Sequence, residues 1–301
     1  MSFHFGDVYS HSNSPTTAFA LQPHNEFWGN ANIKTVSASG SVVTRGTNVC
    51  GPIISGADVD GKRTYAHKIS ARGLVKLEES NIDGSVTTER SVDITSSRVR
   101  SIDAKENILL NKSICFGSLR AEGDVDASDC RLLGRIEADG IVSATDIKSI
   151  ASIRADHVLL QRSVVWGNVT SKVTPSITNS TITGSLIFSS TCCMITIENS
   201  DINTLHISAP ADHSAMRSAH LRNFSTQSID EQISIGSNSE FDDVFFDGQV
   251  ANQDLLPSVL TLKGSSKINR IFFVRLNGTV IVEDSASVSP TNVIGERIVK
   301  A

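Results

Sequence analysis

A short apolar phrase returns every 16 or 17 residues along much of this chain, and this spacing limits the folds that the chain can adopt. The phrase is apolar-x-apolar-x-x-Ser-x-apolar, as in Val92, Ile94, Ser97 and Val99. Its first positions form a series with gaps that alternate between 16 and 17 residues: Val42, Val59, Val75, Val92, Ile108, Val125, Ile141 and Val158. Self-similarity at a fixed period indicates a solenoid, in which each unit buries its apolar side chains against its neighbours.

The segments within a repeat are predicted to be β-strands, because β-branched residues dominate them and apolar residues alternate with polar ones. Each repeat holds three short apolar segments that are separated by polar bends. The predicted fold class is therefore all-β, a parallel β-helix solenoid with three short strands per coil of about 16–17 residues.

Two bends are predicted at fixed places in the coil. The first lies two residues after the last apolar position of the phrase, and glycine is frequent there because a sharp bend needs unusual φ values or a close approach of backbone. The last apolar positions are Ile33, Val49, Tyr65, Ile82, Val99, Cys115, Leu132, Val165, Ile182 and Ile202. The first corners are Gly51, His67, Gly84, Ser101, Gly117, Gly134, Gly167, Gly184 and Thr204. The second corner precedes each restart, at Asp58, Asn107, Asp124, Gly140 and His157.

Four segments are predicted along the chain. Residues 1–32 do not repeat and are rich in aromatic side chains, so they are expected to cap the first coil or to form a tail that contacts a membrane or a partner. Residues 33–209 are predicted to be the regular β-helix, residues 210–232 a loop or short helix, and residues 233–301 irregular β-helix coils with longer loops.

The apolar register falters between Ile141 and Ile153. Ser143, Asp146 and Lys148 stand there at positions that are apolar, Ser and apolar in the other coils. This pattern predicts a bulge, or an insertion paired with a deletion, that restores the phase by Val158.

Composition and charge limit the partners and the compartment. The net charge of −5 and the pI near 5.9 give no basic footprint, so nucleic acid is not predicted as a partner. The N-terminus lacks a basic stretch followed by a continuous apolar run, which predicts a cytoplasmic protein, or alternatively one that is secreted by a signal-peptide-independent route. The five cysteines show no CxxC spacing, so they are predicted to be small buried side chains.

No residue is predicted to be catalytic, to bind a cofactor or to hold a metal. The eight histidines form no HxH or HExxH motif. His67 and His157 fall at corners, where solvated polar residues are expected. His213 and His220 would share one face of a helix, but no carboxylate or cysteine accompanies them at ligand spacing.

Three aspartates deserve separate treatment because carboxylates on β-helices can cleave glycans. Asp60, Asp93 and Asp126 recur every 33 residues and are expected to point outward on one face, with Lys76 on the coil between the first two. Their predicted separation of roughly 9.6 Å, two strand spacings, slightly exceeds that typical of a glycosidase pair. Charge alternation that avoids like-charge stacking is the favoured interpretation. The recurring serines are interpreted as structural, since no His or Asp partner recurs with them.

Coils of about 17 residues, glycine at corners, polar outward faces and aromatic-rich ends together resemble the bactofilins, which are bacterial polymer-forming proteins. The resemblance covers roughly residues 33–207 and implies a triangular, right-handed parallel β-helix. It also implies a non-enzymatic scaffold or binding protein whose partner is itself or another protein. The alternatives are a protein that binds or cleaves polysaccharide and an effector delivered to a host cell without a signal peptide.

Overall fold

The computed structural model describes residues 16–20, 24–28, 32–173, 175–188, 194–198, 200–207, 213–217, 220–226, 232–235, 240–247, 258–262, 267–274, 278–282, 287–288, 293–294 and 297–300. The chain forms two compact units, Met1–Ile141 and Val142–Ala301. Both units consist of parallel β-strands, and the described residues contain no helix. The predicted all-β, parallel β-solenoid fold class is confirmed.

Each coil of the first unit contributes a restart strand to one parallel sheet and one or two corner strands to another. The restart strands, which begin the phrase, are β2 (His24–Trp28), β4 (Ser41–Arg45), β6 (Val59–Lys62), β8 (Val75–Glu78), β10 (Val92–Thr95), β12 (Ile108–Asn111) and β15 (Val125–Ser128). The corner strands are β1 (Thr16–Ala20), β3 (Asn32–Ala38), β5 (Asn48–Ser55), β7 (Tyr65–Ala71), β9 (Asn81–Thr88) and β11 (Arg98–Ala104), and then the shorter β13 (Ile114–Cys115), β14 (Leu119–Ala121), β16 (Arg131–Leu132) and β17 (Arg135–Ala138). Every strand from β1 to β14 pairs in parallel with its counterpart in the next coil.

The second unit repeats this organisation. Its restart strands are β18 (Ile141–Thr145), which begins on the last residue of the first unit, β20 (His157–Gln161), β23 (Ser176–Thr178), β25 (Met194–Glu198), β27 (His213–Arg217), β29 (Gln232–Ile235), β31 (Ser258–Leu262), β33 (Gly278–Val282) and β36 (Arg297–Lys300). Its corner strands are β19 (Ser152–Ala155), β21 (Val164–Val165), β22 (Val169–Ser171), β24 (Thr181–Phe188), β26 (Asp201–Ile207), β28 (His220–Thr226), β30 (Glu240–Asp247), β32 (Lys267–Val274), β34 (Ser287–Val288) and β35 (Val293–Ile294).

Six columns of small or apolar side chains fill the interior of the first unit. In the coil that begins at Val92 they are Val92, Ile94, Ser97, Val99, Ile102 and Ala104, and all six side chains are at most 3% exposed. A register shift at the first corner, for example between Val99 and Ser101, divides each corner strand into two short segments. Together with the restart strand, these segments give the three predicted strands per coil.

The structure corrects the predicted register at two positions. Ala66 is the buried residue that pairs with Val49 and Ile82, whereas Tyr65 is 37% exposed. Similarly, Val142 is fully buried and Ile141 is 40% exposed, so the coil begins one residue later than predicted.

The predicted irregularity before Val158 is found, and it affects only part of the coil. Val142, Ala144, Ile147, Ile150 and Ile153 are all buried, with Ile147 at the position that serine occupies elsewhere. Ile147 and Ile150 are three residues apart where other coils have two, and Ile150 and Ile153 are three apart where their partners in the next coil, Val165 and Val169, are four apart. Ile153 consequently pairs with Val169 in the normal register.

Two predicted segment boundaries also change. β1 pairs with β3 and β2 pairs with β4, so the stack already includes residues 16–20 and 24–28. The cap-or-tail prediction now concerns residues 1–15, which lie outside the described part. Within residues 210–232, predicted as a loop or short helix, the structure describes strands β27 and β28. Each pairs with a strand of the coil before and of the coil after, and this pairing overrides the weak helical pattern of the sequence.

Candidate interaction surface

A third corner, which the sequence analysis did not predict, holds one residue with positive φ in each coil between residues 41 and 180. In the first unit these are Gly46, at φ 64°, followed by Arg63, Glu79, Ser96, Lys112 and Asp129, at φ 49–51°. Non-glycine residues adopt this conformation at a cost of roughly 1–2 kcal/mol each. The stacking sustains it, since the amide of Glu79 donates to Thr95 O at 3.1 Å and that of Ser96 to Asn111 O at 2.9 Å.

The buried serines follow this corner directly and serve the backbone. The amide of Ser80 donates to Ser97 Oγ at 2.8 Å, and the amide of Ser97 donates to Ser113 Oγ at 3.1 Å. Ser97 Oγ in turn donates to Thr95 O at 2.8 Å. The predicted structural role of the serines is confirmed, because these hydroxyls satisfy amides that would otherwise be buried without a partner.

The second corner uses the side chains of Asp58, Asn107 and Asp124. Asp58 Oδ1 accepts the amide of Leu74 at 2.8 Å, and Asp124 Oδ1 accepts the amide of Ile141 at 2.7 Å. Asn107 Oδ1 accepts the amide of Asp124 at 2.8 Å. These three oxygens therefore hold the next coil and are engaged in the fold.

The predicted row of outward aspartates is present in the first unit. Lys76 pairs in register with both Asp60 and Asp93, and Leu109 separates Asp93 from Asp126. Asp60 also forms a two-pronged ion pair with Arg45, at 2.6 and 3.1 Å. No two of these carboxylates occupy neighbouring coils.

The histidines considered in the sequence lie on different strands. His67 is exposed and His157 is half-buried, each in its own coil. His213 lies in restart strand β27 and His220 in corner strand β28, which belong to different sheets, so the shared helical face considered above does not exist. Within the described ranges, no group of three His, Cys, Asp or Glu side chains is arranged to hold a metal ion.

The cysteines differ in burial. Cys115 and Cys130 are buried as predicted, but Cys50 is exposed because it occupies the outward position just before Gly51. Burial raises the pKa of the Cys115 thiol to about 12, and burial also raises the pKa of the Cys130 thiol. Cys192 and Cys193 lie outside the described residues.

The raised pKa of Cys115 predicts a loss of stability at alkaline pH. The unfolded thiol ionises from its ordinary pKa of 9.0, whereas the folded thiol holds its proton up to about 12, so stability is complete below pH 9 and is lost as the pH rises through that window. We expect Cys115→Val to remove about 2 kcal/mol of the decrease in unfolding free energy between about pH 8 and about pH 10.5. Urea unfolding at both pH values measures this decrease in the unmodified protein and in the variant. Cys50→Val is the control, and an equal alkaline decrease in both variants would contradict the assignment.

Ion pairs between neighbouring coils engage five of the described cations: Arg45, Lys62, Arg90, Arg162 and Lys172. Lys62 Nζ lies 2.6 Å from Glu78 Oε1, and Arg90 Nε lies 3.3 Å from Glu106 Oε1. In the second unit, Arg162 makes two 2.7 Å hydrogen bonds to Asp146, and these lower the pKa of that carboxyl. Such exposed pairs contribute little stability individually, but they neutralise charge locally.

One surface of the first unit combines arginines that form no ion pair with exposed apolar side chains. We call it the arginine corner; it consists of the outward residues next to the first corner in three successive coils: Arg98, Arg100, Ile114, Phe116, Arg131 and Leu133. Arg98 and Arg131 each pair in register with Ile114. Phe116 is 51% exposed and Leu133 is 38% exposed. The sequence analysis missed this surface because it examined the inward positions of the phrase, not the outward columns.

The described ranges contain no helical segment that could span a lipid bilayer. Comparison of the chain with protein-family models, curated proteins and solved structures finds no match.

Proposed function

We propose that this chain is a non-enzymatic scaffold that binds another protein and also associates with itself, in the manner of the bactofilins that its repeat resembles. The proposal takes its main support from the ends of the β-ladders. Among the described residues, β1 pairs only with β3 and β2 only with β4. A strand with one unpaired side presents a row of amides and carbonyls to which another strand can add.

The placement of the polar groups is consistent with a scaffold. The buried serines hydrogen-bond the backbone, and the carboxylates of the second corner hold the neighbouring coil. The outward aspartates alternate with Lys76 and Leu109. These groups stabilise the coil stack, which leaves the outer surface for recognition.

Self-association is tested with the intact chain and with a variant that lacks residues 1–15. We expect the mass of the intact protein, measured by size-exclusion chromatography with light scattering, to increase with concentration. If residues 1–15 cover the edges of β1 and β2, their removal will shift assembly to lower concentration and produce filaments in electron micrographs. If they are a tail, the two proteins will assemble alike.

Two results would overturn the proposal. A monomeric mass for both proteins at every concentration would reject self-association. Cleavage of a glycan by the intact protein, lost in Asp93→Asn, would reject the non-enzymatic scaffold in favour of polysaccharide cleavage.

A further inference from the structure

We propose that the arginine corner is the docking site for a short acidic segment of a partner protein, in which carboxylates flank apolar side chains. The inference rests on the proposed function and deepens it, because it names the surface and the chemical class of partner that the scaffold would bind.

Two parallel columns build the corner. The first contains Arg98, Ile114 and Arg131, which are register partners in successive coils. Since parallel strands lie about 4.8 Å apart, the two arginines are about 10 Å apart along the stack, with the isoleucine between them.

The second column contains Arg100, Phe116 and Leu133. The amide of Phe116 donates to Val99 O at 3.2 Å and that of Leu133 to Cys115 O at 2.9 Å, which fixes these residues at equivalent places in their coils. The corner thus combines three apolar side chains with three guanidinium groups at their borders.

The charge of the corner is uncompensated within the described residues. The arginines that form ion pairs there are Arg45, Arg90, Arg135 and Arg162. Arg98, Arg100 and Arg131 form none, although the whole chain carries a net charge of −5. A free guanidinium group offers a rigid fork of donors that fits a carboxylate with two hydrogen bonds. The complementary ligand is therefore anionic.

The apolar residues favour a protein ligand over a nucleic acid or an anionic glycan. Single-stranded nucleic acid is held by successive aromatic rings that stack with bases, whereas this corner has one ring, Phe116, beside the aliphatic Ile114 and Leu133. Single exposed apolar residues are common on proteins. Here Phe116 and Leu133 occupy equivalent places in neighbouring coils beside three arginines, and aromatic and arginine side chains are enriched at the energetic centres of protein interfaces.

The test uses the full-length chain and fluorescent peptides of about ten residues, the scale of a linear recognition motif. The probe peptide has glutamates on both sides of a leucine–phenylalanine pair. One comparison peptide has lysine in place of glutamate, and another has serine in place of the apolar pair. We expect fluorescence anisotropy to detect binding of the probe only, with an affinity that falls as salt increases.

Variants of the corner locate the binding. We expect the triple variant Arg98→Gln/Arg100→Gln/Arg131→Gln to reduce the affinity for the probe peptide by at least about tenfold. The single variant Phe116→Ser should reduce that affinity to a similar extent. The matched controls are Arg72→Gln/Lys76→Gln/Lys105→Gln, which removes three other exposed cations of the same unit, and Leu109→Ser, which removes another exposed apolar side chain. These controls should bind as the unmodified chain does. If the triple arginine variant fails to fold, Arg100→Gln alone should still weaken binding severalfold.

Three outcomes would overturn the inference: no binding of the probe, equal losses in corner and control variants, or tighter arginine-dependent binding of oligothymidylate or heparin than of the probe. None of these outcomes affects the self-association that the scaffold proposal predicts, because self-association is measured separately and does not involve the peptide.

Discussion

Replacing Ile94 with aspartate should unfold the coils around it. Ile94 is fully buried and lies in register between Leu77 and Leu110, so the new carboxyl would have no partner and no water. We expect a loss of about 3–5 kcal/mol in the free energy of unfolding, because the variant loses apolar packing and also buries an unpaired polar group. Urea unfolding followed by circular dichroism measures the change.

The neighbouring residue supplies the control. Asp93 lies on the same strand but in the outward column, so Asp93→Asn should change stability by no more than about 0.5 kcal/mol. Ile182→Asp, at a position that is 1% exposed, should repeat the large effect in the second unit. Equal costs for the Asp93 and Ile94 substitutions would show that the assigned inward and outward positions are wrong.

Adding one methyl group at Gly134 should be almost as damaging. A Cβ there would lie 2.0 Å from the carbonyl oxygen and 2.2 Å from the carbonyl carbon of Gly117 in the preceding coil. Both obstacles are backbone atoms, so relief requires the coils to separate, which would strain the 2.9 Å hydrogen bond from the amide of Leu133 to Cys115 O. We expect Gly134→Ala to cost about 3 kcal/mol or more.

Gly46→Ala distinguishes this steric effect from backbone strain. Gly46 has φ +64° and no atom within 4 Å of a Cβ position, so its substitution should cost only about 1 kcal/mol, which is the penalty of a left-handed alanine. Hydrogen exchange should place the damage of Gly134→Ala in the coils on either side of that corner. Uniform exchange over the first unit, or a cost below that of Gly46→Ala, would show that the coils can separate easily there.

The inward columns could be predicted from the sequence because they repeat apolar residues at a fixed period. The errors occurred where two adjacent residues could both occupy an inward position. Tyr65 and Ala66 are one such pair, and Ile141 and Val142 are the other. Hydropathy does not show clearly which residue of each pair points inward. The pairing with the neighbouring coil decides it.

Two features lay beyond sequence reasoning for different reasons. The left-handed corner is occupied by residues such as Arg63, Glu79 and Lys112, which show no preference for positive φ, and the stacked coils impose that conformation on them. The arginine corner becomes visible only when the coils are aligned on their true register and the outward positions are compared. Arg98 and Arg131 are then two coils, or 33 residues, apart.

The compensated irregularity between Ile147 and Ile153 has a consequence for how such a chain can vary in length. One residue is gained and one is lost within a single coil, and Ile153 still meets Val169 in register. A lone insertion that was not compensated would move every later side chain of its strand to the opposite face, so that inward residues would point outward. The natural increment of growth is therefore the whole coil, and duplication of a coil would extend every outer column by one residue while leaving the interior unchanged.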